Sequence, residues 1–305
     1  MGCFVLIKRR DRNRMQTQVL FIVNPKSGST TARVDVSALL AAELDTSKIA
    51  YTLVQTEYAG HATALARQAV AAGMEVVCAV GGDGTVNEVA RGLVHSDTAL
   101  AILPRGSGNG LARHLNIPMN LVHAIGIING LRRSRIDSCL INQHPFFCTA
   151  GIGFDAHVSS VFAASARRGL RTYVQLVVQE FMKFKPLPLT LKLENQQVQA
   201  ECFVVAFANA SQYGNNAYIA PMADIRDGLV DVCLVRSLNF QKAIALGYGM
   251  ITKKIAASPD AQYFKTRTIT IQSEAPFKYH ADGEYMGEAN TFTVSISPLS
   301  LHVIT

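Results

Sequence analysis

The first part of the chain alternates apolar runs with helix-like segments. Nearly continuous apolar residues predict four buried strands, at 18–24, 49–56, 74–80 and 99–103. Helical spacing of apolar residues predicts a helix after each of these strands, the first at 31–44. Strands that are apolar throughout and alternate with helices are typical of a parallel sheet covered on both faces. We therefore predict a doubly wound α/β domain over residues 17–134.

The pattern changes after about Ile136, where polar and apolar residues begin to alternate. This alternation predicts strands at 189–194, 198–209, 229–235, 266–273 and 291–297. Helical segments at about 158–184 and 240–255 interrupt them. We predict an antiparallel β-sandwich domain over residues 135–297, and residues 298–305 could pack back on the first domain.

One helical segment has an apolar stripe with basic flanks. The apolar positions are Leu170, Tyr173, Val174, Val177, Val178, Phe181 and Met182, and the basic ones are Arg167, Arg168, Arg171, Lys183 and Lys185. Core packing and contact with lipid are both compatible with this stripe.

Charge and composition narrow the functional classes. The chain has a formal net charge of +7, part of which lies in a basic leader at residues 1–16. This leader lacks the apolar core of a signal peptide, and a disordered tail is favoured over a membrane-binding arm. No nucleic-acid motif is present, and no apolar run is long enough to span a bilayer, so any membrane contact would be peripheral. The six cysteines are scattered, which favours buried, reduced thiols in a cytosolic protein.

The strongest chemical signal is the run GGDGT at residues 81–85, between a strand and a helix. Its glycines let the backbone approach a ligand closely, and the N-terminus of the next helix attracts phosphate. Asp83 would repel phosphate unless a magnesium ion lies between them or Asp83 accepts a proton. Thr85 and Glu88 also fit a capping box, so they could simply begin the helix.

Two further turns end neighbouring strands. PRGSGNG at 104–110 offers Ser107 and backbone N–H groups to phosphate, with Asn109 as a helix cap, and NPKSG at 24–28 ends the first strand. Because the carboxyl ends of parallel strands meet at one edge of a sheet, the three turns should form one nucleotide site. It is not a Walker-type loop, since GxxxxGK followed by Ser or Thr is absent.

Together these motifs resemble the catalytic domain shared by diacylglycerol, sphingosine and ceramide kinases and their bacterial relatives. The matching segments are NPKSG (24–28), GGDGTVNEV (81–89), LPRGSGNGLAR (103–113), GIGFDA (151–156), residues 221–231 and Asp282-Gly283-Glu284. The resemblance implies a kinase that uses ATP and Mg²⁺ on a lipid hydroxyl presented at a membrane surface. Such an enzyme would be cytoplasmic and peripheral to the inner face of the membrane, and a homodimer is left open.

The same resemblance assigns roles to residues. The nucleotide would be bound by Asn24, Pro25, Lys26, Ser27, Gly28, Thr56, Gly82, Asp83, Gly84, Thr85, Val86, Asn87, Glu88, Ser107, Gly108 and Asn109. Asp282 and Glu284 would bring acidic groups from the second domain, with Glu284 as the general base and Asp83 as the second candidate. Asp224, Asp227 and the Leu229 carbonyl would hold a structural magnesium ion, although an ordinary Asp-Gly turn explains them too.

The resemblance leaves the acceptor open. Asp155 lies where a sphingosine-type enzyme would contact the polar head of its lipid, and GSGN at 106–109 is closer to sphingosine and ceramide kinases than to bacterial diacylglycerol kinases. Two alternatives remain: an NAD kinase or other small-molecule kinase, which would share the GGDG run, and a non-catalytic sensor of nucleotide or lipid.

Overall fold

The computed structural model describes residues 16–28, 34–165, 170–194, 196–236 and 238–305. The basic leader apart from Gln16, the start of the helix predicted at 31–44, and Arg167 and Arg168 lie outside the described residues. Contacts divide the chain into two compact units. The first unit runs to Ile136 and includes Ser300–Thr305, and the second comprises Asp137–Leu299.

The first unit is a parallel sheet with helices. Its strands are β1 (Thr17–Val23), β2 (Ile49–Gln55), β3 (Val76–Gly81) and β4 (Ala99–Pro104), and its helices are α1 (Val36–Glu43), α2 (His61–Ala71), α3 (Asp83–Leu93), α4 (Gly110–His114) and α5 (Leu121–Gly130). The strand order is β2-β1-β3-β4, all parallel, and Val303 pairs in parallel with Leu100 on the outer side of β4. The strands β3 and β4 are buried along their whole length, as their apolar sequences predict.

The side of the sheet on which successive strands are added changes after β2. The connection from β1 to β2 runs one way along the sheet, and those from β2 to β3 and from β3 to β4 run the other way. Since such crossovers are right-handed, the helices fall on opposite faces. Accordingly, α1 packs with α5, and α2 packs with α3. The ends of β1, β3 and β4 meet at the reversal, where open α/β sheets bind ligands.

The second unit is mainly antiparallel. Its strands are β5 (Arg133–Ile141), β6 (His144–Phe146), β7 (Thr149–Gly153), β8 (Leu187–Leu193), β9 (Gln197–Ala208), β10 (Val230–Arg236), β11 (Ala261–Thr266), β12 (Thr268–Ala281) and β13 (Glu284–Ile304). The start of β5, up to Ile136, and the end of β13, from Ser300, belong to the first unit. Its helices are α6 (Phe154–Ala164), α7 (Leu170–Phe181) and α8 (Phe240–Ile251), with a short 3₁₀ helix at Ile255–Ala257. The strand order is β11-β10-β9-β7-β12-β13, and β8 pairs with both β9 and β12. Phe146, Phe207 and Phe292 lie in its main apolar core.

The predicted fold class is confirmed, with differences in the elements. The sequence patterns missed α5, β5, β6, β7 and β11, and the helical segment predicted at about 158–184 is two helices, α6 and α7. Cys78, Cys202 and Cys233 are buried and free, as predicted, and burial raises the pKa of the Cys202 and Cys233 thiols to about 12. Among the described residues, no helix is both long and apolar enough to cross a membrane.

Candidate active site

Three turns meet at the carboxyl edge of the first unit's sheet. The Asn24 side chain donates to the Thr85 hydroxyl (3.1 Å), which joins the turn after β1 to α3. The Arg105 N–H donates to the Gly81 carbonyl (2.7 Å), which joins the turn after β4 to the end of β3. A Cβ added to Gly28 would lie 3.4 Å from the Arg105 guanidinium. The sequence patterns therefore predicted the convergence of the turns correctly.

Two glycines allow the second and third turns to touch. A Cβ on Gly106 would lie 2.5 Å from the Gly82 Cα, and one on Gly82 would lie 3.0 Å from the Gly106 Cα. A side-chain carbon does not approach backbone as closely as 2.5 Å, so only glycine fits at position 106, and a side chain at position 82 would press against the neighbouring turn. The Asn109 side chain fixes the same turn, since it accepts from the Gly106 N–H (3.0 Å) and donates to the Gly106 carbonyl (2.7 Å).

Asp83 joins two glycine turns instead of facing open solvent. Its carboxylate accepts hydrogen bonds from the N–H groups of Asn109 (2.8 Å) and Gly110 (2.7 Å), which begin α4. Carboxylates are stabilised at helix N-termini by N–H groups and by the helix dipole. These partners explain why a carboxylate lies in a phosphate-type turn without requiring a metal ion or a proton.

The capping box proposed for Thr85 and Glu88 does not form. The α3 helix begins at Asp83 with Gly82 as its N-cap, two residues earlier than the sequence suggested. Glu88 instead accepts from the N–H groups of Gly60 (2.9 Å) and Ala62 (3.1 Å), and so caps the neighbouring helix α2. Its carboxylate is therefore occupied within the protein, which argues against direct nucleotide contact.

The remaining predicted nucleotide residues differ in exposure. Val86 and Asn87 are buried, and Asn87 accepts from the Arg91 guanidinium, so their contact with a nucleotide stays a prediction. The exposed or half-buried ones, whose roles stay predictions, are Asn24, Pro25, Lys26, Ser27, Gly28, Thr56, Gly82, Gly84, Ser107 and Gly108.

A cleft of about 260 Å³ opens at this edge of the first unit. Gly28, Arg105, Gly106, Asn109 and Arg113 are among the residues that line it. Arg113 donates to the Gly108 carbonyl (3.0 Å) and so supports the loop below the cleft. Two guanidinium groups beside a glycine turn form an environment suited to phosphate.

In the second unit, Asp282 and Gly283 form the turn between β12 and β13, and Glu284 follows as the first residue of β13. Both Asp282 oxygens are occupied, because they accept from the backbone N–H groups of Phe147, Cys148 and Thr149 at 2.8–3.0 Å. Asp282 therefore anchors the turn, which favours a positioning role over contact with substrate. Glu284 is exposed at the start of β13. The turn thus holds one carboxylate inward and presents the other outward.

Asp155 lies in a buried network next to this turn. Its carboxylate accepts from the Tyr213 hydroxyl (3.0 Å) and from His280 Nε2 (3.1 Å), and its other oxygen accepts from the Ala156 N–H. The Gly283 N–H donates to His280 Nδ1 (3.3 Å), which leaves the proton on Nε2. Burial and the Asp155 charge raise the pKa of Tyr213 well above its ordinary value. A structural role explains Asp155 fully, and its contact with substrate stays a prediction.

The predicted magnesium ligands already have partners within the protein. The Asp227 carboxylate accepts from the Leu229 N–H (2.9 Å) and pairs with the Lys265 ammonium (2.7 Å), which lies 3.3 Å from Asp231 as well. Burial would lower the pKa of Lys265, but the two carboxylates outweigh it and raise that pKa. In the described part of the chain, no group of three or more His, Cys, Asp or Glu residues could hold a metal ion. We therefore expect Lys265, and not a magnesium ion, to be the charged partner of Asp227, and the magnesium role of Asp224, Asp227 and Leu229 stays a prediction.

This arrangement predicts that the second unit is stable without divalent cations. EDTA should leave the thermal unfolding midpoint unchanged, whereas Lys265→Gln should lower the free energy of unfolding by about 1–3 kcal/mol, because Asp231 is then buried without a charged partner. Thermal unfolding measures the first effect and urea unfolding the second, both followed by circular dichroism. Lys192→Gln, which removes an exposed lysine from β8, is the control. A midpoint that falls with EDTA and returns with Mg²⁺ would contradict the assignment.

Sequence reasoning missed His280, Tyr213 and Lys265, and also Asp137. The buried Asp137 carboxylate accepts from the N–H groups of Gly228 (2.8 Å) and Leu299 (2.7 Å). Burial raises the pKa of this carboxyl. The signal available for it was a single acidic residue at the start of an apolar run, IDSCLI at 136–141.

Comparison with known proteins identifies matches to both units. The diacylglycerol kinase catalytic domain family matches residues 18–141, and the YegS C-terminal NAD kinase beta sandwich-like domain family matches residues 148–305. A diacylglycerol kinase of Mycobacterium tuberculosis is 30% identical over 230 residues, which cover 71% of this chain and 72% of the relative.

Solved structures show the same fold. A diacylglycerol kinase from Bacillus anthracis superimposes with a TM-score of 0.74 at 22% identity, over 94% of this chain and 96% of that one. An NAD kinase from Archaeoglobus fulgidus in complex with ATP superimposes with a TM-score of 0.52 at 12% identity, over 94% of this chain and 93% of that one. At these identities the similarity concerns the fold and leaves substrate choice open.

Proposed function

This chain belongs to the diacylglycerol kinase catalytic domain family and is a lipid kinase of that type, and we propose that it transfers the γ-phosphate of ATP to a hydroxyl group of a diacylglycerol. Membership of a kinase family implies the use of ATP. The observation that carries the proposal is the meeting of three turns, at 24–28, 81–85 and 105–109, at one edge of a parallel sheet.

The nucleotide phosphates would bind at this edge. The N-terminus of α3 supplies backbone N–H groups and the positive end of its dipole. Arg105 and Arg113 line the adjacent cleft and can neutralise phosphate charge. Asp83 and Asn109 hold the two glycine turns in place, so that the donors are oriented before the nucleotide arrives.

Glu284 would act as the general base. As the lipid oxygen attacks the γ-phosphorus, its proton would pass to the Glu284 carboxylate, and ADP would leave with the electrons of the broken P–O bond. Asp282 fixes the backbone of the turn, and His280 supports it through the Gly283 N–H. The rigid turn would thereby orient the Glu284 carboxylate, although this side chain is exposed.

Magnesium would accompany the triphosphate. Mg²⁺ in phosphoryl-transfer sites is bound largely by phosphate oxygens and water, with one or two carboxylates from the protein. Asp83 already accepts from the Asn109 and Gly110 N–H groups, so it would hold the glycine turns near the ion. The ion would neutralise the negative charge that develops on the phosphate groups during phosphoryl transfer.

The acceptor would place the enzyme at a membrane. A diacylglycerol is too apolar to leave the bilayer, so the enzyme would meet it as a cytoplasmic protein peripheral to the inner face of the membrane.

A panel of acceptors tests the proposed function. With fixed Mg-ATP, we expect turnover with diacylglycerol, and phosphatidic acid identified as the product by mass spectrometry. Sphingosine, ceramide, NAD and water complete the panel. Turnover with sphingosine or ceramide alone would show that one of these lipids, and not diacylglycerol, is the acceptor. Turnover with NAD alone would overturn the assignment as a lipid kinase. ATP binding without turnover on any acceptor would overturn the catalytic proposal.

A further inference from the structure

Two helices of the second unit, α7 and α8, rest on neighbouring apolar clusters of its core. The apolar clusters beneath α7 and α8 share Val204 and Leu238, and the rings of Phe181 and Phe240 are 6.2 Å apart. The inner side of α7 packs through Tyr173, Leu176, Val177 and Phe181, and that of α8 through Leu246 and Met250. The opposite side of each helix is therefore left uncovered by these clusters.

Those outer sides are apolar. Val174, Val178 and Met182 follow each other every four residues, and Phe240, Ile244, Tyr248 and Ile251 follow at spacings of four, four and three. All seven side chains are 50–76% exposed. They make up half of the fourteen exposed large apolar side chains among the residues that the structure describes. Such concentration marks a surface that binds something apolar.

The surroundings of these rows are basic. Residues 170–185 and 238–260 contain six basic residues and two acidic ones: Arg171, Lys183, Lys185, Lys242, Lys253 and Lys254 against Glu180 and Asp260. Both acidic groups are already paired, Glu180 with Lys183 and His157, and Asp260 with Lys242. Arg171, Lys185, Lys253 and Lys254 thus leave an exposed positive excess.

We propose that α7 and α8 form a docking surface for a lipid bilayer that contains anionic lipids. The two apolar rows enter the interfacial region, and the basic residues bind the phosphate groups of the lipids. A second copy of the chain fits this surface less well, because the positive excess of each copy would face the other. The proposal rests on the proposed function, in which the acceptor lipid stays within the bilayer.

Vesicle sedimentation with the full chain tests this surface. The parent protein should bind vesicles of phosphatidylcholine with phosphatidylglycerol, and the double variant Ile244→Ser/Tyr248→Ser should bind at least about tenfold more weakly, since it removes two inserted side chains. The double variant Tyr58→Ser/Met222→Ser removes two equally exposed apolar side chains elsewhere and should bind like the parent. Lys253→Glu/Lys254→Glu should abolish the preference for phosphatidylglycerol.

Turnover with two kinds of diacylglycerol distinguishes a failure of the docking surface from a failure of the proposed kinase activity. The Ile244→Ser/Tyr248→Ser variant should keep parent-like turnover with a water-dispersed short-chain diacylglycerol and lose turnover with a long-chain one in vesicles. Undiminished vesicle binding by this variant would overturn the docking surface while leaving the kinase proposal intact. A parent dimer that this variant converts to a monomer in light scattering would assign the surface to a second copy and overturn the proposal. Vesicle binding by the parent without turnover on either lipid would overturn the kinase proposal alone.

Discussion

Replacing Glu284 by glutamine should slow turnover by about 10²–10⁴-fold, which is the usual contribution of a positioned general base. Glutamine has the same shape but cannot accept the proton of the attacking hydroxyl. The side chain is exposed at the first residue of β13, so the substitution should change the free energy of unfolding by no more than about 0.5 kcal/mol. Steady-state kinetics with saturating Mg-ATP, together with calorimetric ATP binding, would show a fall in kcat with unchanged ATP affinity.

Glu288→Gln is the matched control for this variant. It removes a second exposed carboxylate four residues along the same strand, so it reproduces the loss of charge without touching the turn. We expect parent-like activity from it. If Glu284→Gln kept more than about a third of the parental kcat, a role as base would be untenable, because loss of a base costs far more.

Replacing Asp83 by asparagine should weaken ATP binding and turnover together. The carboxylate binds two N–H groups at 2.7–2.8 Å, and an amide group in its place would present a donor to one of them. The loss of a charge-assisted hydrogen bond amounts to about 1.5–3 kcal/mol, and the two glycine turns would separate. Each 1.4 kcal/mol lost from ATP binding would raise its Kd about tenfold. Calorimetry for ATP affinity and urea unfolding for stability measure the two effects.

The exposed Asp97 provides the comparison for Asp83. It precedes β4, at the opposite end of the strand from the glycine turns, so Asp97→Asn should alter neither ATP affinity nor turnover. An Asp83→Asn protein with normal ATP affinity and normal stability but almost no turnover would show that Asp83 moves the proton itself. That result would make Asp83, and not Glu284, the general base.

The meeting of the three turns could be predicted because it follows from local patterns alone. Apolar runs identified β1, β3 and β4 as buried parallel strands, and parallel strands that are neighbours end at one edge. Glycine-rich turns at those ends were visible directly in the sequence. The fold class and the position of the candidate site therefore needed no knowledge of tertiary contacts.

The partners of the acidic residues could not be predicted in this way. Asp83 binds N–H groups 26 and 27 residues away, and Glu88 caps a helix whose N-cap residue, Gly60, lies 28 residues before it. The spacing of Thr85 and Glu88 imitates a capping box, but a tertiary contact outweighs the local preference. Lys265 is 38 residues from Asp227, so nothing in the loop itself reveals that an ammonium group pairs with this carboxylate.

The missed helix α5 did carry a recognisable signal. Asn120 is its N-cap and accepts from the His123 N–H, a start signal that can be found in a sequence. Two glycines, Gly126 and Gly130, lowered the apparent helix propensity of the segment. Burial of Ala124, Ile125 and Ile128 outweighs that cost, and burial is a property that only the fold defines.

The last six residues have a consequence for how the protein is made. Residues 300–305 belong to the first unit, where Val303 pairs with Leu100 across some two hundred positions of chain. During synthesis the ribosome releases β4 long before the neighbour that covers its outer side. Until then the outer edge of β4 stays unpaired in the nascent first unit. An unpaired strand edge promotes incorrect pairing and slows folding.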